Sequence, residues 1–155
     1  MTNLVIFFFF FQLSNFKATD KVALLIGNQD YTANFPDGFQ GQGTLKHTIA
    51  DTRTLGSLLH REDMGFNVLS FANLSRDEME KSIIEYLNLL SEGCYAVFYF
   101  AGHGFELNGK HYLVPVDAPA DWTQGDAVCI QWVLEAIWGK RPQLTVILLD
   151  MCRMR

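Results

Sequence analysis

Tyr95-Ala96-Val97-Phe98-Tyr99-Phe100-Ala101-Gly102-His103-Gly104 is the stretch that decides the fold. From Tyr95 to Ala101 it carries no charge and shows no alternation of polar and apolar positions. A strand with one wet face alternates, whereas a continuous apolar run is a strand covered on both faces, as in a parallel sheet between helices. Gly102-His103-Gly104 follows and reads as the end of that strand.

Upstream, Val22 to Ile26 is a second apolar run closed by Gly27, and Asn28 to Gly43 is polar and glycine-rich, a loop of a length that is often functional. Ile49, Leu55, Leu58 and Leu59 recur at helical spacing, Gly65 marks the stop, and Asn67 to Phe71 reads as a strand. Ser75 and Glu78 form a capping-box pattern ahead of a helix whose buried stripe is Met79, Ile83, Tyr86, Leu87 and Leu90. Downstream, Asn108-Gly109 lies between strand-like residues of Phe105 to Val114, a strong hairpin signal. Ile130, Val133, Leu134, Ile137 and Trp138 mark a further helix closed by Gly139, and Leu144 to Leu149 is the last strand before Asp150-Met151-Cys152. The order βαβαβ, hairpin, αβ predicts an α/β fold: a mainly parallel sheet flanked by helices, with a small hairpin and a ligand site beyond the carboxyl ends of the strands. His103 and Cys152 both fall at such ends.

A chain of 155 residues and 17.6 kDa, 49% hydrophobic, is one domain with room for a buried core. A formal charge of -5 with only 12 basic residues, none of them clustered, argues against nucleic acid as a partner. Cys94, Cys129 and Cys152 are odd in number and widely spaced, which suits free thiols in a reducing compartment and places the chain in the cytoplasm. Cys94 and Cys129 read as buried structural thiols, and the absence of Cys-x-x-Cys or His-x-x-x-His spacing predicts no metal. His47, His60 and His111 read as surface or loop residues, and Trp122, Trp132 and Trp138 as packing residues. Leu4 to Phe11 is an apolar run too short for a bilayer, which needs about 20 residues, so no membrane is expected. Without a positive flank it is a poor secretory signal as well, and Phe7 to Gln12 reads like a translated polypyrimidine tract and splice acceptor, an artefact of the gene model. Residues 1–20 are therefore set outside the domain, and 21–155 form it.

A thiol beside an imidazole is a nucleophile and base pair: the imidazole helps to generate the thiolate and then protonates the leaving amine. Gly102 and Gly104 flank His103 without bulk, leaving room for a substrate carbonyl, and the amides of Gly104 and Cys152 are the candidate oxyanion donors. For an arbitrary pair the plainer reading, a buried thiol and a satisfied loop histidine, would prevail.

The separation of the two, 152 minus 103, is 49 residues, and caspases place their histidine about 50 residues before the cysteine. Their cysteine is preceded by Gln and Ala, where this chain has Asp150 and Met151. Lys21-Val22-Ala23-Leu24-Leu25-Ile26-Gly27-Asn28, Ala101-Gly102-His103-Gly104, Val114-Pro115-Val116-Asp117-Ala118-Pro119 and Leu148-Leu149-Asp150-Met151-Cys152-Arg153 resemble the paracaspases, and the resemblance runs from Lys21 to Arg155. It implies a caspase-like α/β fold with His103 and Cys152 as the dyad of a cofactor-free cysteine endopeptidase that cleaves after Arg. It further implies an arginine pocket lined by carboxylates, matched here by Asp150 and Asp51. Asp150, two residues before Cys152 on an extended segment, points to the same side and can pair with a guanidinium. Asp51 has a second explanation, since an acid near the start of a helix also stabilises the helix dipole.

The implied partners are protein or peptide substrates with Arg at P1, signalling scaffold proteins, and a second copy through a carboxyl-terminal part absent after Cys152. Two rivals stand beside this reading. A metacaspase-type Arg/Lys peptidase would differ in calcium dependence, and a catalytically incomplete fragment would act as an interaction module, with an uncovered edge strand as its pairing liability. A nucleotide-binding domain ranks last, because no glycine-rich phosphate loop follows the first strand.

Overall fold

The computed structural model describes residues 2–10, 20–31, 45–121 and 123–154, with 2–10 and 152–154 described through their backbone pairing. In chain order the elements are β1 (Thr2–Phe10), β2 (Lys21–Gly27), α1 (Thr48–His60), β3 (Asn67–Ala72), α2 (Arg76–Leu89), β4 (Tyr95–Leu107), β5 (Lys110–Leu113), a short turn of 3-10 helix (Gln124–Asp126), β6 (Val128–Cys129), α3 (Ile130–Gly139) and β7 (Leu144–Met154). The sheet runs β1-β7-β4-β2-β3, with β5 on β4 and β6 on β5. β3, β2, β4 and β7 are mutually parallel, while β1, β5 and β6 pair antiparallel.

The mainly parallel α/β sheet is as expected, and β4 is its central strand, buried on both faces. On one face Leu24, Ile26, Phe98, Phe100, Ile147 and Leu149 pack against α2 and α3. On the other, Ala23, Leu25, Val97, Tyr99 and Ala101 pack with Leu59 of α1. The stripe expected for α2 is buried in full, and its capping box closes with Ser75 N donating to Glu78 Oε2 at 2.9 Å and Glu78 N donating to Ser75 Oγ at 3.4 Å. In α1 the buried residues are Thr52, Gly56 and Leu59, whereas Leu58 is 47% exposed. The helix buries its small residues because it lies close to the sheet: a Cβ on Gly27 would stand 2.5 Å from Thr52 Oγ1 and 2.9 Å from the Thr48 carbonyl oxygen.

The structure departs from the sequence reading at several points. β4 does not stop at His103 but continues to Leu107, because its distal half becomes one arm of the expected hairpin. Asn108 and Gly109 both take positive φ (52° and 73°), the primed turn that matches strand twist, and Phe105 stacks on Tyr112 at 4.8 Å. Residues 2–10 pair along β7 from Thr2↔Cys152 to Phe10↔Leu144. Cys94 is buried as expected, but Cys129 is only half-buried and Trp132 is exposed. Trp122 and most of the expected loop, 32–44, lie outside the described residues.

The strand ends are knotted together by Asn28, whose side chain is fully buried. Its Nδ2 donates to the carbonyl oxygens of Leu74 and Val114, each at 3.3 Å, and its Oδ1 accepts from Leu74 N at 2.9 Å. Val116 N donates to the Leu74 carbonyl at 3.1 Å, and Arg76 N donates to Asp117 Oδ1 at 2.9 Å, so the Val114–Asp117 segment is pinned to the start of α2. Asn28→Ala strands several of these buried backbone groups at once, each worth about 1–3 kcal/mol when left unsatisfied. Urea unfolding is expected to show a loss of roughly 2–4 kcal/mol for this variant, against a change within about 0.5 kcal/mol for the exposed Leu58→Ser. Equal losses for the two would refute the role given to Asn28.

Candidate active site

β4 and β7 run parallel with Ala101 opposite Asp150 and His103 opposite Cys152. Strands in a ladder lie about 4.8 Å apart and register partners share a face, so the sheet itself places the cysteine position beside His103. Asp150 lies two residues back on the same face, the one covered by α1. The β2–β4 ladder ends at Gly27↔Ala101, so His103 stands beyond the tip of β2, buried with 4% exposure.

Tyr31, which the sequence reading did not single out, supports it. His103 N donates to Tyr31 Oη at 2.7 Å, Tyr31 Oη donates to the Val114 carbonyl at 3.4 Å, and the two rings lie 4.5 Å apart at 51°. A tyrosine in a polar segment gives no pattern that would flag it. Gly102 and Gly104, expected to leave space for substrate, have that space filled from within the fold. A Cβ on Gly102 would lie 2.6 Å from Tyr31 Oη and from the Phe100 ring, and one on Gly104 would collide with Met151 Sδ and stand 2.9 Å from the Tyr112 carbonyl oxygen.

The expected oxyanion donors lie inside the ladder. Val114 N donates to the His103 carbonyl at 3.0 Å, so the polar groups of His103 face the β2–β5 side. Successive residues of a strand alternate, so the Gly104 amide faces β7, where Arg153 is its register partner.

The two carboxylates expected to line an arginine pocket sense one another. Burial, reinforced by the Asp51 carboxylate, holds the half-buried Asp150 carboxyl above the usual carboxylate range. Burial and then the charges of Asp150 and Asp51 push the Tyr99 phenol up to about 12. Asp51 itself is exposed, in the first turn of α1. His103, Asp150, Asp51 and Tyr99 thus gather on one side of the sheet, with the backbone of Cys152 in register with His103. His47 and His60 are exposed and His111 is half-buried on β5, all outside this group.

Residues 20–155 match the family model described as Caspase domain. The human Mucosa-associated lymphoid tissue lymphoma translocation protein 1 is 41% identical over 138 residues, covering 89% of this chain and 16% of that protein. Its mouse homolog is also 41% identical over 138 residues, covering 89% and 15%. The chain therefore spans under a fifth of the length of these relatives. Among solved structures, protein GSU0716 from Geobacter sulfurreducens superposes with a TM-score of 0.58 at 18% identity, over 86% of this chain and 50% of that one, a likeness of fold.

The raised Asp150 value has a sign that can be tested. Folded chains hold the Asp150 proton more tightly than unfolded ones, so the stability it contributes is present below the ordinary carboxylate value and lost as pH rises through the raised one. Asp51→Asn removes one cause of the shift, so the variant loses less. Its stability relative to the parent, followed by urea unfolding, is expected to climb as pH rises above the ordinary carboxylate value. A pH-independent difference would show that the two carboxylates are not coupled.

Proposed function

Because the chain belongs to the caspase-domain family and is paracaspase-like within it, we propose that it acts as a cysteine endopeptidase that cleaves after arginine. The observation that carries this reading is the register pairing of His103 with Cys152, with Asp150 two residues back on the same face and within the field of Asp51.

In the proposed reaction His103 accepts the Cys152 thiol proton, and the thiolate adds to the carbonyl carbon of the P1 residue. Collapse of the tetrahedral intermediate breaks the C–N bond, the amine leaves with the proton from His103, and a thioester remains. Water then attacks as His103 takes its proton, the C–S bond breaks, and the carboxylic acid product leaves with the thiol restored. No external redox partner or cofactor enters this balance.

The electrostatics support arginine at P1. A carboxyl held above its usual range by burial and then by a second carboxylate forms a site that a guanidinium relieves and an acidic side chain worsens. Asp150, partly buried and next to the nucleophile in sequence, carries most of this selection. Asp51 contributes from the exposed first turn of α1, and its charge also favours the helix dipole there.

Reporter peptides with Arg, Lys or Asp at P1 test the proposal. Arg is expected to be preferred, Lys second and Asp uncut, with no dependence on calcium and complete loss in Cys152→Ala. A charge-assisted hydrogen bond is worth about 1.5–3 kcal/mol, so Asp150→Asn should lower kcat/KM for the Arg peptide by roughly 10- to 100-fold. Cleavage after Asp would sink the pocket assignment, calcium dependence would favour a metacaspase-type enzyme, and no cleavage at all would favour the interaction module.

A further inference from the structure

We infer that Tyr31 is a positioning residue for His103, its hydroxyl standing where β4 exchanges one neighbouring strand for another. The inference rests on the dyad reading and adds to it a residue that controls the base. Up to Ala101 the β2-facing side of β4 is satisfied by β2, where the last bond runs from Asn28 N to the Ala101 carbonyl at 2.8 Å. From Gly104 onward the same side is taken by β5, beginning with the bond from Val114 N to the His103 carbonyl at 3.0 Å. Between them the His103 amide belongs to neither ladder. Backbone amides in a buried strand need a partner, and the chain supplies a phenol: Tyr31 Oη accepts from His103 N at 2.7 Å and donates onward to the Val114 carbonyl at 3.4 Å.

The oxygen therefore does the work of a missing strand carbonyl. It ties the backbone of His103 to the first residue after β5, and the same ring lies 4.5 Å from the imidazole, limiting its swing about χ1. Gly102 is part of the arrangement, because a Cβ there would lie 2.6 Å from Tyr31 Oη. Phenylalanine at position 31 keeps the ring and removes the acceptor. The His103 amide is then left to find another partner, and the backbone that aims the imidazole at Cys152 shifts with it.

The test uses the whole chain and reads the dyad without substrate. Alkylation of Cys152 by iodoacetamide, followed by peptide mapping to separate it from Cys94 and Cys129, is measured across pH for the parent, Tyr31→Phe and His103→Ala. The expected result is a Tyr31→Phe profile displaced from the parent toward His103→Ala, with near-parental circular dichroism. On an Arg reporter peptide, kcat is expected to fall about tenfold or more with KM within about threefold, as for a displaced base. A Tyr31→Phe profile that overlays the parent overturns the inference. If His103→Ala also overlays the parent, the dyad reading falls, and this inference falls with it. Should Tyr31→Phe not fold, amide hydrogen exchange in the parent decides: a His103 amide protected like those of β4 supports the bond to Tyr31, and one that exchanges like an open loop refutes it.

Discussion

At Ala101 the central strand loses one neighbour before it gains the next. β2 turns away after Gly27, and β5 begins its pairing only at Gly104. A buried strand cannot leave its amides and carbonyls without partners. The chain meets this demand by bringing three segments to one point: Asn28 after β2, Leu74 before α2, and Val114 after the hairpin. His103 sits in the gap. On the opposite side of β4 the ladder with β7 runs without interruption, so Cys152 is carried along in step and arrives at the register position beside the imidazole. The proposed dyad is thus a product of strand pairing. It does not depend on two long side chains reaching toward each other, and elements as rigid as these hold a pair of groups more closely than loops do.

The electrostatics of the same face run against the fold. Asp150 is carried partly out of water by β7, and the first turn of α1 brings Asp51 into its field. The close seat of α1 on Gly27, at the end of β2, leaves the helix little freedom to move that charge away. Burial and like charge both favour the protonated acid, so the folded chain is less stable with the site ionised than it would be with neutral residues there. Local destabilisation of this kind persists where a ligand of opposite charge removes it. Under the proposed arginine specificity, a cationic side chain would be such a ligand.

Much of this architecture was legible in the sequence because it rests on local rules. The stripe of α2, its capping box, the Asn108-Gly109 turn and the run from Tyr95 to Ala101 follow from periodicity and turn chemistry, and each appears where those rules place it. The failures share another origin. Leu58 fitted the spacing of α1, yet the face turned inward is the one with Thr52 and Gly56, because how closely the helix approaches the sheet is a tertiary fact. Asp117 caps α2 from 41 residues away in sequence, and Tyr31 reaches His103 from 72 away. Neither distance leaves a trace in a single chain.

Gly-His-Gly shows how one motif can carry two physical meanings. Its glycines suggest a strand end held open for substrate, yet the strand continues and the room beside them is taken by Tyr31, Phe100 and Met151. The motif is first a packing solution: only a residue without Cβ lets a phenol and a thioether close so tightly around the histidine. Substrate access must then come from elsewhere. The pairs beyond His103↔Cys152 are Gly104↔Arg153 and Phe105↔Met154, the last of the ladder. End pairs open far more readily than a whole sheet unfolds. Opening them would free the Gly104 amide on the side that faces β7, where the proposed oxyanion would need it. In the proposed enzyme, a sheet that brings the two positions together by pairing would expose them by locally giving up that pairing.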